Sequence, residues 1–370
     1  MQIDTVLLKV ASRCNINCSY CYVYNQGDTA WRDMPKHMSR TTVEDVLRQL
    51  DRLYEDQQRS FAVVLHGGEP LLLPRDILEA LLQGLADRLP ATCGRSIQTN
   101  GMLIDDTLLD LCLRTNTTIS ISIDGPADVH DAFRLAFNGD GTHSRTVEGI
   151  ARIRQHPQAG VLFTGALCVV DPRSNPRAVY DFFKSLGVPS VDFLFKDGNH
   201  AKLPLGKSAI DSNEYGLWLA SVWDCYINDP EPPRIRILDD FGRLLLGATS
   251  IKEGCGQALY GIAVIDTDGT ITKNDTLKSI YDGADRFQKR WSVSIDRLSE
   301  IAASQEFVDY SRLQHPTSAV CKACSLLSVC GGGMPLSRWH PKTGLVNPSV
   351  YCADYKVVIG HIQETLQEYL

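Results

Sequence analysis

The sequence lacks the features expected of a membrane protein or of a protein whose main partner is nucleic acid. None of its apolar runs approaches the length of about 20 residues that a membrane span needs. Its formal charge of -7 offers no excess of Lys and Arg for binding phosphates. The first residues, MQIDTVLLKVASRC, have no basic start followed by an apolar run and a small-residue cleavage site. We interpret this segment as a first strand, and we predict a cytoplasmic protein that binds neither nucleic acid nor membranes.

The absence of a secretion signal also bears on the 12 cysteines. In a signal-free chain of 370 residues, tight cysteine spacings indicate a metal centre rather than disulfides. Eight of the 12 lie in two places, three between residues 14 and 21 and five from residue 255 onward. The other four stand alone in apolar surroundings, and we interpret them as small buried core residues. They are Cys93, Cys112, Cys168 and Cys225.

The first two-thirds of the chain alternates strand-like and helix-like segments. The strand candidates are nearly continuous in apolar character, as in parallel strands that are covered on both faces. They span residues 5–10, 61–66, 95–99, 118–124, 161–170 and 190–195. Helical patterns follow near 41–57, 75–89, 105–114, 143–155, 175–186 and 212–228. This alternation predicts an α/β protein with a parallel sheet, either doubly wound or a partial barrel, with its site at the carboxyl ends of the strands.

A proline-rich segment interrupts this alternation. The letters NDPEPPRI, near residue 230, contain three prolines, and we place a domain boundary there. The sequence thus predicts a core domain over residues 1–235 and a second region over residues 236–370. The second region has few long periodic segments and most of the clustered cysteines, so we expect a metal centre to stabilise it.

The first cysteine group directly follows the first predicted strand. Cys14, Cys18 and Cys21 place three thiolates within eight residues of loop. Three thiolates cannot complete a four-ligand cluster, so a cubane held by them keeps one iron open for a small molecule. A zinc site or three buried thiols are the alternatives, although structural zinc usually has four ligands.

This CxxxCxxC motif, with Tyr20 just before its third cysteine, closely resembles the motif of the radical SAM superfamily. The resemblance implies a partial (β/α)6 TIM-like barrel. It also implies a [4Fe–4S] cluster whose open iron binds the amino and carboxylate groups of S-adenosylmethionine (SAM). Reduction of that cluster would cleave SAM to methionine and a 5′-deoxyadenosyl radical, which abstracts a hydrogen atom from the substrate.

Three further motifs resemble this family, and each follows a predicted strand. They are His66-Gly67-Gly68-Glu69-Pro70, Gln98-Thr99-Asn100-Gly101 and Ser122-Ile123-Asp124-Gly125-Pro126. The resemblance implies that the first holds the SAM amino group, that polar side chains of the third bind ribose, and that Arg134 meets the SAM carboxylate. Any one of these motifs could be an ordinary turn, but the presence of four motifs in the order of the family argues against coincidence. The implied cofactor-binding residues are Tyr20, Gly67, Gly68, Glu69, Gln98, Asn100, Ser122, Asp124 and Arg134.

The second cysteine group supplies four possible ligands, namely Cys321, Cys324, Cys330 and Cys352. Spacing alone also allows a structural zinc ribbon. The stretch resembles the SPASM domain, also related to the Twitch domain, which usually holds two auxiliary [4Fe–4S] clusters. Cys255 matches the first family position, but Asn274 and Met334 stand where the family has cysteines. The resemblance therefore implies one auxiliary [4Fe–4S] cluster on the four cysteines, and we expect Cys255 to be a buried thiol.

Asp275 has two interpretations. In anaerobic sulfatase-maturing enzymes an Asp right after the position of Asn274 resembles a catalytic base, and Asp275 stands there. Such a base would take a proton from the substrate as its radical is oxidised. The alternative is an Asp in an exposed turn, where this residue type is common.

The resemblance implies an enzyme, a radical SAM oxidoreductase that modifies peptides. The segments CGQ, DTDG, NDTLK and CGGG look most like the cyclophane-forming branch, which joins an aromatic ring carbon to a nearby side-chain Cβ of a ribosomally made precursor peptide. A formylglycine-forming sulfatase maturase and a thioether-forming maturase are alternatives, and a non-catalytic metal-binding module is a further one. The implied partners are the precursor peptide and an electron donor such as flavodoxin or ferredoxin. With no room before the first strand for a leader-binding domain, we expect the leader to bind the barrel or the SPASM region, or a separate leader-recognition protein.

Overall fold

The computed structural model describes residues 1–368 and forms two compact units. The first unit comprises Met1–Ile123, His130–Gly165 and Tyr260–Tyr310. The second unit comprises Asp124–Val129, Ala166–Leu259 and Ser311–Leu370. No helix within residues 1–368 is long and apolar enough to cross a membrane.

The described residues form β-strands, α-helices and short 3-10 helices. The strands are β1 (Thr5–Ala11), β2 (Ile16–Cys18), β3 (Ala62–Gly67), β4 (Arg95–Thr99), β5 (Thr118–Ser122), β6 (Arg134–Ala136), β7 (Phe163–Val169), β8 (Ser190–Leu194), β9 (Arg234–Ile235), β10 (Ile262–Ile265), β11 (Thr270–Thr272) and β12 (Trp291–Ser292). The first eight helices are α1 (Arg40–Gln57), α2 (Arg75–Arg88), α3 (Asp106–Arg114), α4 (Ala127–His130), α5 (His143–Gln155), α6 (Ala159–Leu162), α7 (Pro176–Leu186) and α8 (Glu214–Ile227). The others are α9 (Arg236–Leu245), α10 (Leu298–Ala303), α11 (Gln305–Arg312), α12 (Ala319–Lys322), α13 (Leu327–Cys330) and α14 (Cys352–Gln367).

The predicted alternation of strands and helices is confirmed. Each of the six predicted strands and six predicted helices is present, with ends that differ by at most a few residues. The main difference is at residues 161–162, which end the short helix α6 instead of beginning β7, and Val161 is exposed there. The parallel α/β class predicted from the sequence is therefore correct.

The first unit contains a mostly parallel sheet. Its strand order is β12-β11-β10-β1-β3-β4-β5, in which β10, β1, β3, β4 and β5 run parallel and β11 and β12 run antiparallel. Apolar side chains such as Val6, Leu8 and Leu65 are fully buried in it. Because parallel strands end on one side, the loops after β1, β3, β4 and β5 share an edge of this sheet.

Helix α1 shows how local sequence sets the ends of the elements. The Ser39 side chain accepts a hydrogen bond from the backbone N–H of Thr42 and so caps the helix start. The helix ends at Gln58, whose φ of 48° lies in the left-handed region. Its buried residues recur at helical spacing, from Val43 to Leu53, and form the face that packs against the unit.

The sequence analysis did not predict β10, which has only four residues. Its segment, IAVI, is too short and too uniformly apolar to show a period. It pairs in parallel with β1, with Leu8 opposite Ile265. This pairing brings the residues that follow β10, including Asp266 and Asp275, into the first unit.

The second unit contains β7, β8 and β9 as parallel neighbours, from residue 166 of β7 onward. Helices α8 and α14 pack closely there, because Gly216 of α8 has no side chain to collide with the backbone of Asp354. Asp354 also accepts a hydrogen bond from Lys207 Nζ at 2.6 Å, and both side chains are fully buried. These contacts fix the start of α14 and with it the position of Cys352.

Candidate active site

The three-cysteine loop follows β1 in the first unit. Its shape is defined by backbone contacts, since β2 pairs antiparallel with β6 and places Cys18 opposite Arg134. The backbone N–H of Cys21 donates to the carbonyl of Cys18 at 3.0 Å, which closes the turn between these two ligands. The backbone therefore turns back on itself between the second and third cysteine, as a loop around one metal centre requires.

The thiols of this loop are chemically suited to an iron–sulfur cluster. Cys14, Cys18 and Cys21 are all free thiols. Burial raises the pKa of Cys14 to about 12, and the nearby Glu69 carboxylate and the other two thiols act in the same direction. Burial and the neighbouring Cys18 raise the pKa of Cys21 to about 11. Thiols that ionise this reluctantly need a bound metal to become thiolate ligands, and three of them fit a cluster with one open iron.

No single-ion centre is preformed at either cysteine group. Among residues 1–368, no three His, Cys, Asp or Glu side chains converge closely enough to hold one metal ion. Four thiolates around a single zinc ion would lie only about 4 Å from one another.

Glu69 is the most completely enclosed polar side chain of the predicted cofactor site, with 1% of its surface exposed. Its carboxylate accepts hydrogen bonds from Thr99 Oγ1 at 2.6 Å, from Asn100 N at 2.9 Å and from Leu71 N at 3.0 Å. Burial raises its pKa, against the effect of these donors. A carboxylate offers about four acceptor positions, so Glu69 retains capacity for one further donor such as an ammonium group.

The two glycines before Glu69 are required by the backbone that follows β1. Gly67 has a φ of +145°, and a Cβ there would lie 2.1 Å from the carbonyl oxygen of Ala11. A Cβ on Gly68 would lie 2.3 Å from the carbonyl oxygen of Arg13 and 2.0 Å from Tyr24 Oη. The two glycines therefore allow the end of β1 and the start of the cysteine loop to approach the chain after β3 closely.

Replacing Gly68 by alanine should therefore displace the loop that carries the three cysteines. Overpacking against fixed backbone destabilises by about 1–3 kcal/mol, and here the backbone in contact directly precedes Cys14. We expect less iron per chain after anaerobic reconstitution and weaker SAM binding. Gly94→Ala is the matched control, because a Cβ there has no neighbour within 4 Å. Equal iron content in the two variants would contradict this prediction.

Hydrogen bonds join the predicted cofactor residues of neighbouring strands. Gln98 Nε2 donates to Ser122 Oγ at 2.8 Å, which connects the ends of β4 and β5. Asn100 Nδ2 donates to Asn15 Oδ1 at 2.7 Å, which connects the loop after β4 to the cysteine loop. Together with the bonds from Thr99 and Asn100 to Glu69, these contacts join residues of all four motifs at one edge of the sheet of the first unit.

Arg134 and Tyr20 also contact each other in the first unit. Arg134 Nη1 donates to Tyr20 Oη at 2.9 Å, and the Tyr20 ring lies 5.9 Å from the ring of Phe133. Asp124 belongs to the second unit, where its carboxylate accepts from the backbone N–H of Val169 at 3.0 Å.

Asp275 does not lie in an exposed turn, so the alternative we considered for it does not hold. It is 3% exposed and begins the 3-10 helix Asp275–Ser279. Lys9 of β1 donates to its Oδ1 at 2.9 Å, whereas its Oδ2 is buried without a hydrogen-bond partner among the described residues. Burial opposes ionisation, but Lys9 and Lys278 hold the pKa of Asp275 below its ordinary value. The carboxylate is therefore ionised at neutral pH and has one oxygen available.

Lys9 and His66 are site residues that the sequence analysis missed. Lys9 is a charged residue within the apolar strand β1, which is a signal that it has a buried partner. His66 is half-buried, and its Nδ1 is buried without a hydrogen-bond partner among residues 1–368. Loss of solvent around the imidazole lowers its pKa to about 4. Both side chains lie close enough to Asp275 to lower its pKa. Lys9 also lies near Cys21 and lowers the pKa of that thiol.

The four cysteines of the second group line one pocket of the second unit. The pocket has a cavity volume of about 30 Å³, and its lining includes Cys321, Cys324, Cys330 and Cys352 together with Tyr355. All four are free thiols. Burial raises the pKa of Cys330 to about 12, and the other three thiols act in the same direction. This donor set fits a fully protein-ligated cluster.

Cys255 lies in the second unit as a buried thiol, as expected. Its Sγ lies 3.4 Å from Asp240 Oδ2 and 3.5 Å from Ser250 Oγ. The isolated Cys93, Cys112, Cys168 and Cys225 are also buried, which confirms their interpretation as core residues.

Comparisons with known proteins find similar sequences along this chain. Residues 8–186 match the family model described as the Radical SAM superfamily. A serine-type anaerobic sulfatase-maturating enzyme of Bacteroides thetaiotaomicron is 25% identical, over 95% of this chain and 87% of its own length. A cysteine-type anaerobic sulfatase-maturating enzyme of Clostridium perfringens is 24% identical, over 95% of this chain and 94% of its own length.

Two solved structures show the same fold. Native anSMEcpe with bound AdoMet superposes with a TM-score of 0.83 at 20% identity, covering 99% of this chain and 98% of that chain. Streptococcus suis SuiB bound to its precursor peptide SuiA superposes with a TM-score of 0.68 at 15% identity, covering 95% of this chain and 76% of that chain. The TIM-like α/β fold expected from the sequence is thereby confirmed.

Proposed function

We propose that this chain, a radical SAM enzyme by its match over residues 8–186, is a maturase that crosslinks a ribosomally made precursor peptide by oxidation. Membership of this superfamily implies a [4Fe–4S] cluster and SAM. When bound, these supply a 5′-deoxyadenosyl radical that abstracts a hydrogen atom from the substrate. The observation that carries the proposal is the buried carboxylate Asp275, which lies with the cysteine loop in the first unit and has one unpaired oxygen.

Different residues of the first unit would bind the cluster and SAM. Cys14, Cys18 and Cys21 would ligate the cluster. Glu69 has acceptor capacity left for the SAM ammonium group, while its three existing donors keep the carboxylate in place. Arg134, oriented by its contact with Tyr20, would pair with the SAM carboxylate. The remaining proposed SAM contacts of the first unit are Gly67, Gly68, Gln98, Asn100 and Ser122.

Asp275 would act as the base. A substrate radical that loses one electron must also lose one proton, and an ionised carboxylate with a free oxygen can accept it. We propose that a second [4Fe–4S] cluster on the four cysteines of the second unit accepts the electron. The region over residues 236–370 would then be a SPASM-like domain. An electron donor such as flavodoxin or ferredoxin would supply the electron for each SAM cleavage.

The proposed crosslink is a cyclophane, a bond between an aromatic ring carbon and the Cβ of a nearby residue. It is supported by the segments CGQ, DTDG, NDTLK and CGGG, and by Asn274 and Met334 at two positions where the SPASM family has cysteines. Formation of this bond removes two hydrogen atoms from the peptide. One leaves with deoxyadenosine, and the other leaves as a proton and an electron.

Formylglycine formation is the second candidate. It is favoured by similarity to two curated proteins named sulfatase-maturating enzymes, each matched over 95% of this chain. In that reaction the substrate is a Cys or Ser side chain, and the product is an aldehyde. The proposed base would serve this oxidation equally well, so the geometry of Asp275 does not separate the two candidates.

Co-expression with two kinds of peptide tests the proposal. One is a short peptide with aromatic residues near its carboxyl end, chosen from the reading frames next to the gene for this chain. The other is a sulfatase segment with Cys or Ser at its centre. We expect the first peptide to lose two hydrogen atoms, and fragmentation by mass spectrometry to place a link between an aromatic residue and a neighbour. An aldehyde in the sulfatase segment alone would instead establish formylglycine formation. Deoxyadenosine without change in either peptide would refute the proposed function.

A further inference from the structure

Six ionisable side chains form a buried cluster in the first unit, which we call the acidic cluster. Each is at most 7% exposed, and they come from β1, from the loop before α1 and from the chain after β10. They are Lys9, Asp28, Asp266, Asp275, Lys278 and Asp285. Four carboxylates face two ammonium groups, so the cluster has more acids than its lysines can neutralise. Burying several like charges favours protonation of one of them.

Asp266 is the carboxylate of the acidic cluster that lacks a close lysine. Lys9 contacts Asp275 at 2.9 Å, and Lys278 contacts Asp285 at 2.9 Å. Asp28 lies 3.9 Å from Lys278 and accepts a hydrogen bond from the backbone N–H of Ala30. Within residues 1–368, Asp266 has no lysine or arginine within 4.0 Å, and its Oδ2 is buried without a hydrogen-bond partner.

The charges around Asp266 favour exchange of a proton near neutral pH. Burial raises its pKa to about 6, opposed by Lys9 and Lys278 and assisted by Asp275 and Asp285. His66 also has an unpaired nitrogen near Asp275, but burial lowers its pKa to about 4. Asp266 is thus the better acceptor for a proton that has to leave Asp275.

Asp266 also borders a small cavity whose lining does not include Asp275. The cavity is lined by Lys9, Asp28, Asp266 and Lys278 with several less polar residues, and it has room for about one water molecule. Four polar side chains are enough to bind a water there. A proton on Asp266 can therefore pass to water in this cavity.

We propose that Asp266 is a second carboxylate of the maturation reaction, which receives the substrate proton from Asp275 and passes it to water in this cavity. The inference rests on the proposed function. In the first step the substrate bond to hydrogen breaks, an Asp275 O–H bond forms, and the electron leaves for the proposed auxiliary cluster. In the second step the Asp275 O–H bond breaks and an Asp266 O–H bond forms, with no change in oxidation state. Release to water restores both carboxylates for the next turnover.

A titration of the reconstituted protein without peptide tests the coupling between the two acids. We expect infrared spectroscopy to show one carboxyl group that titrates near pH 6 and is absent in Asp266→Asn. In Asp275→Asn the same band should move to lower pH, because the negative charge that raises the pKa of Asp266 is removed. A band that survives in Asp266→Asn, or that stays in place in Asp275→Asn, would overturn the inference.

The relay itself is tested by measuring turnover of a peptide substrate. The peptide is the one that the wild-type enzyme modifies in the co-expression experiment. We expect Asp266→Asn to form deoxyadenosine at the wild-type rate but to yield about tenfold less product per deoxyadenosine. Product per deoxyadenosine in wild type should fall as the pH drops below about 6, since Asp266 is then protonated, and the variant should lack this dependence. Asp285→Asn removes the same charge from the acidic cluster, and Asp285 does not line the cavity. Because this variant leaves the buried Lys278 without its close partner, its thermal unfolding is measured beside its turnover. In the folded variant, product per deoxyadenosine at neutral pH should stay within about twofold of wild type, and its pH dependence should move to lower pH because Asp285 raises the pKa of Asp266.

The outcomes separate the two proposals. Suppose that Asp266→Asn keeps the wild-type ratio of product to deoxyadenosine and its pH dependence, while Asp275→Asn loses product. The proposed relay is then wrong, and the proposed role of Asp275 as the base still stands. An equal loss in Asp266→Asn and Asp285→Asn would show an effect of net charge only, which also overturns the relay. If wild type modifies no peptide, the proposed function fails and this inference fails with it.

Discussion

Replacing Cys14, Cys18 and Cys21 together by alanine should abolish deoxyadenosine formation and lower the iron content from about eight to about four per chain. The three thiols lie in one loop whose backbone is set by the pairing of β2 with β6, so their loss removes the ligands without removing the loop. The measurement is iron and acid-labile sulfide after anaerobic reconstitution, together with deoxyadenosine formed from SAM under reduction. Deoxyadenosine production retained by the triple variant would end the radical SAM interpretation of this loop.

Two control variants make this result specific. Cys112→Ala removes a buried cysteine of α3, and it should leave the iron content and the yield of deoxyadenosine at wild-type levels. Alanine at Cys321, Cys324, Cys330 and Cys352 should also leave about four irons but should retain SAM cleavage.

About twelve irons in wild type would mean that Cys255 and other ligands form a third cluster. About four irons with zinc present would make the second group a structural zinc site and would remove its proposed role in electron transfer.

Asp275→Asn should retain SAM cleavage but lower product formation by about two to four orders of magnitude, the usual contribution of a general base. The amide keeps the shape of the side chain but cannot accept the proton. Deoxyadenosine formed without product would then rise relative to wild type. The measurement is the ratio of modified peptide to deoxyadenosine in single samples, by mass spectrometry and chromatography. An unchanged ratio would show that the ion pair with Lys9 is structural.

Folding has to be separated from catalysis in this experiment, because the variant leaves the buried ammonium of Lys9 without its partner. Breaking a buried pair costs about 3–5 kcal/mol, whereas replacing both members by apolar residues is often neutral. The double variant Lys9→Met with Asp275→Leu should therefore unfold near the wild-type temperature and still make no product. A double variant that regains product formation would exclude Asp275 as the base.

The fold was predictable because each strand and each helix is specified by residues that lie close together in the sequence. Strands such as β1 and β3 are largely apolar on both faces, and helices carry their own caps, as Ser39 shows for α1. The cysteine spacing and the GGEP segment were also visible, because all their residues lie within a few positions of one another. Strand β10 was missed, since four apolar residues have no period to distinguish them from any buried segment.

The reasons for particular residues were less predictable than the residues themselves. Glycine at position 68 is required by the carbonyl of Arg13, a contact that becomes visible only when β1 and β3 are side by side. Asp275 appeared from sequence as either a base or an exposed turn residue, and burial of its side chain excluded the turn. In both cases the deciding neighbour lies far away in the chain.

The sequence by itself therefore determined the order of strands and helices, the two cysteine groups and the motifs at the ends of the strands, because hydrophobic period and ligand spacing are local properties. Only the tertiary structure decided that Lys9 pairs with Asp275, 266 positions later in the chain. It also decided that Glu69 receives its donors from the end of β4 and that Asp266 borders a cavity. The contacts of Asp275 and Asp266 follow from the pairing of β10 with β1, and those of Glu69 follow from the pairing of β3 with β4. Both pairings are long-range consequences of burying apolar faces, which no local pattern encodes.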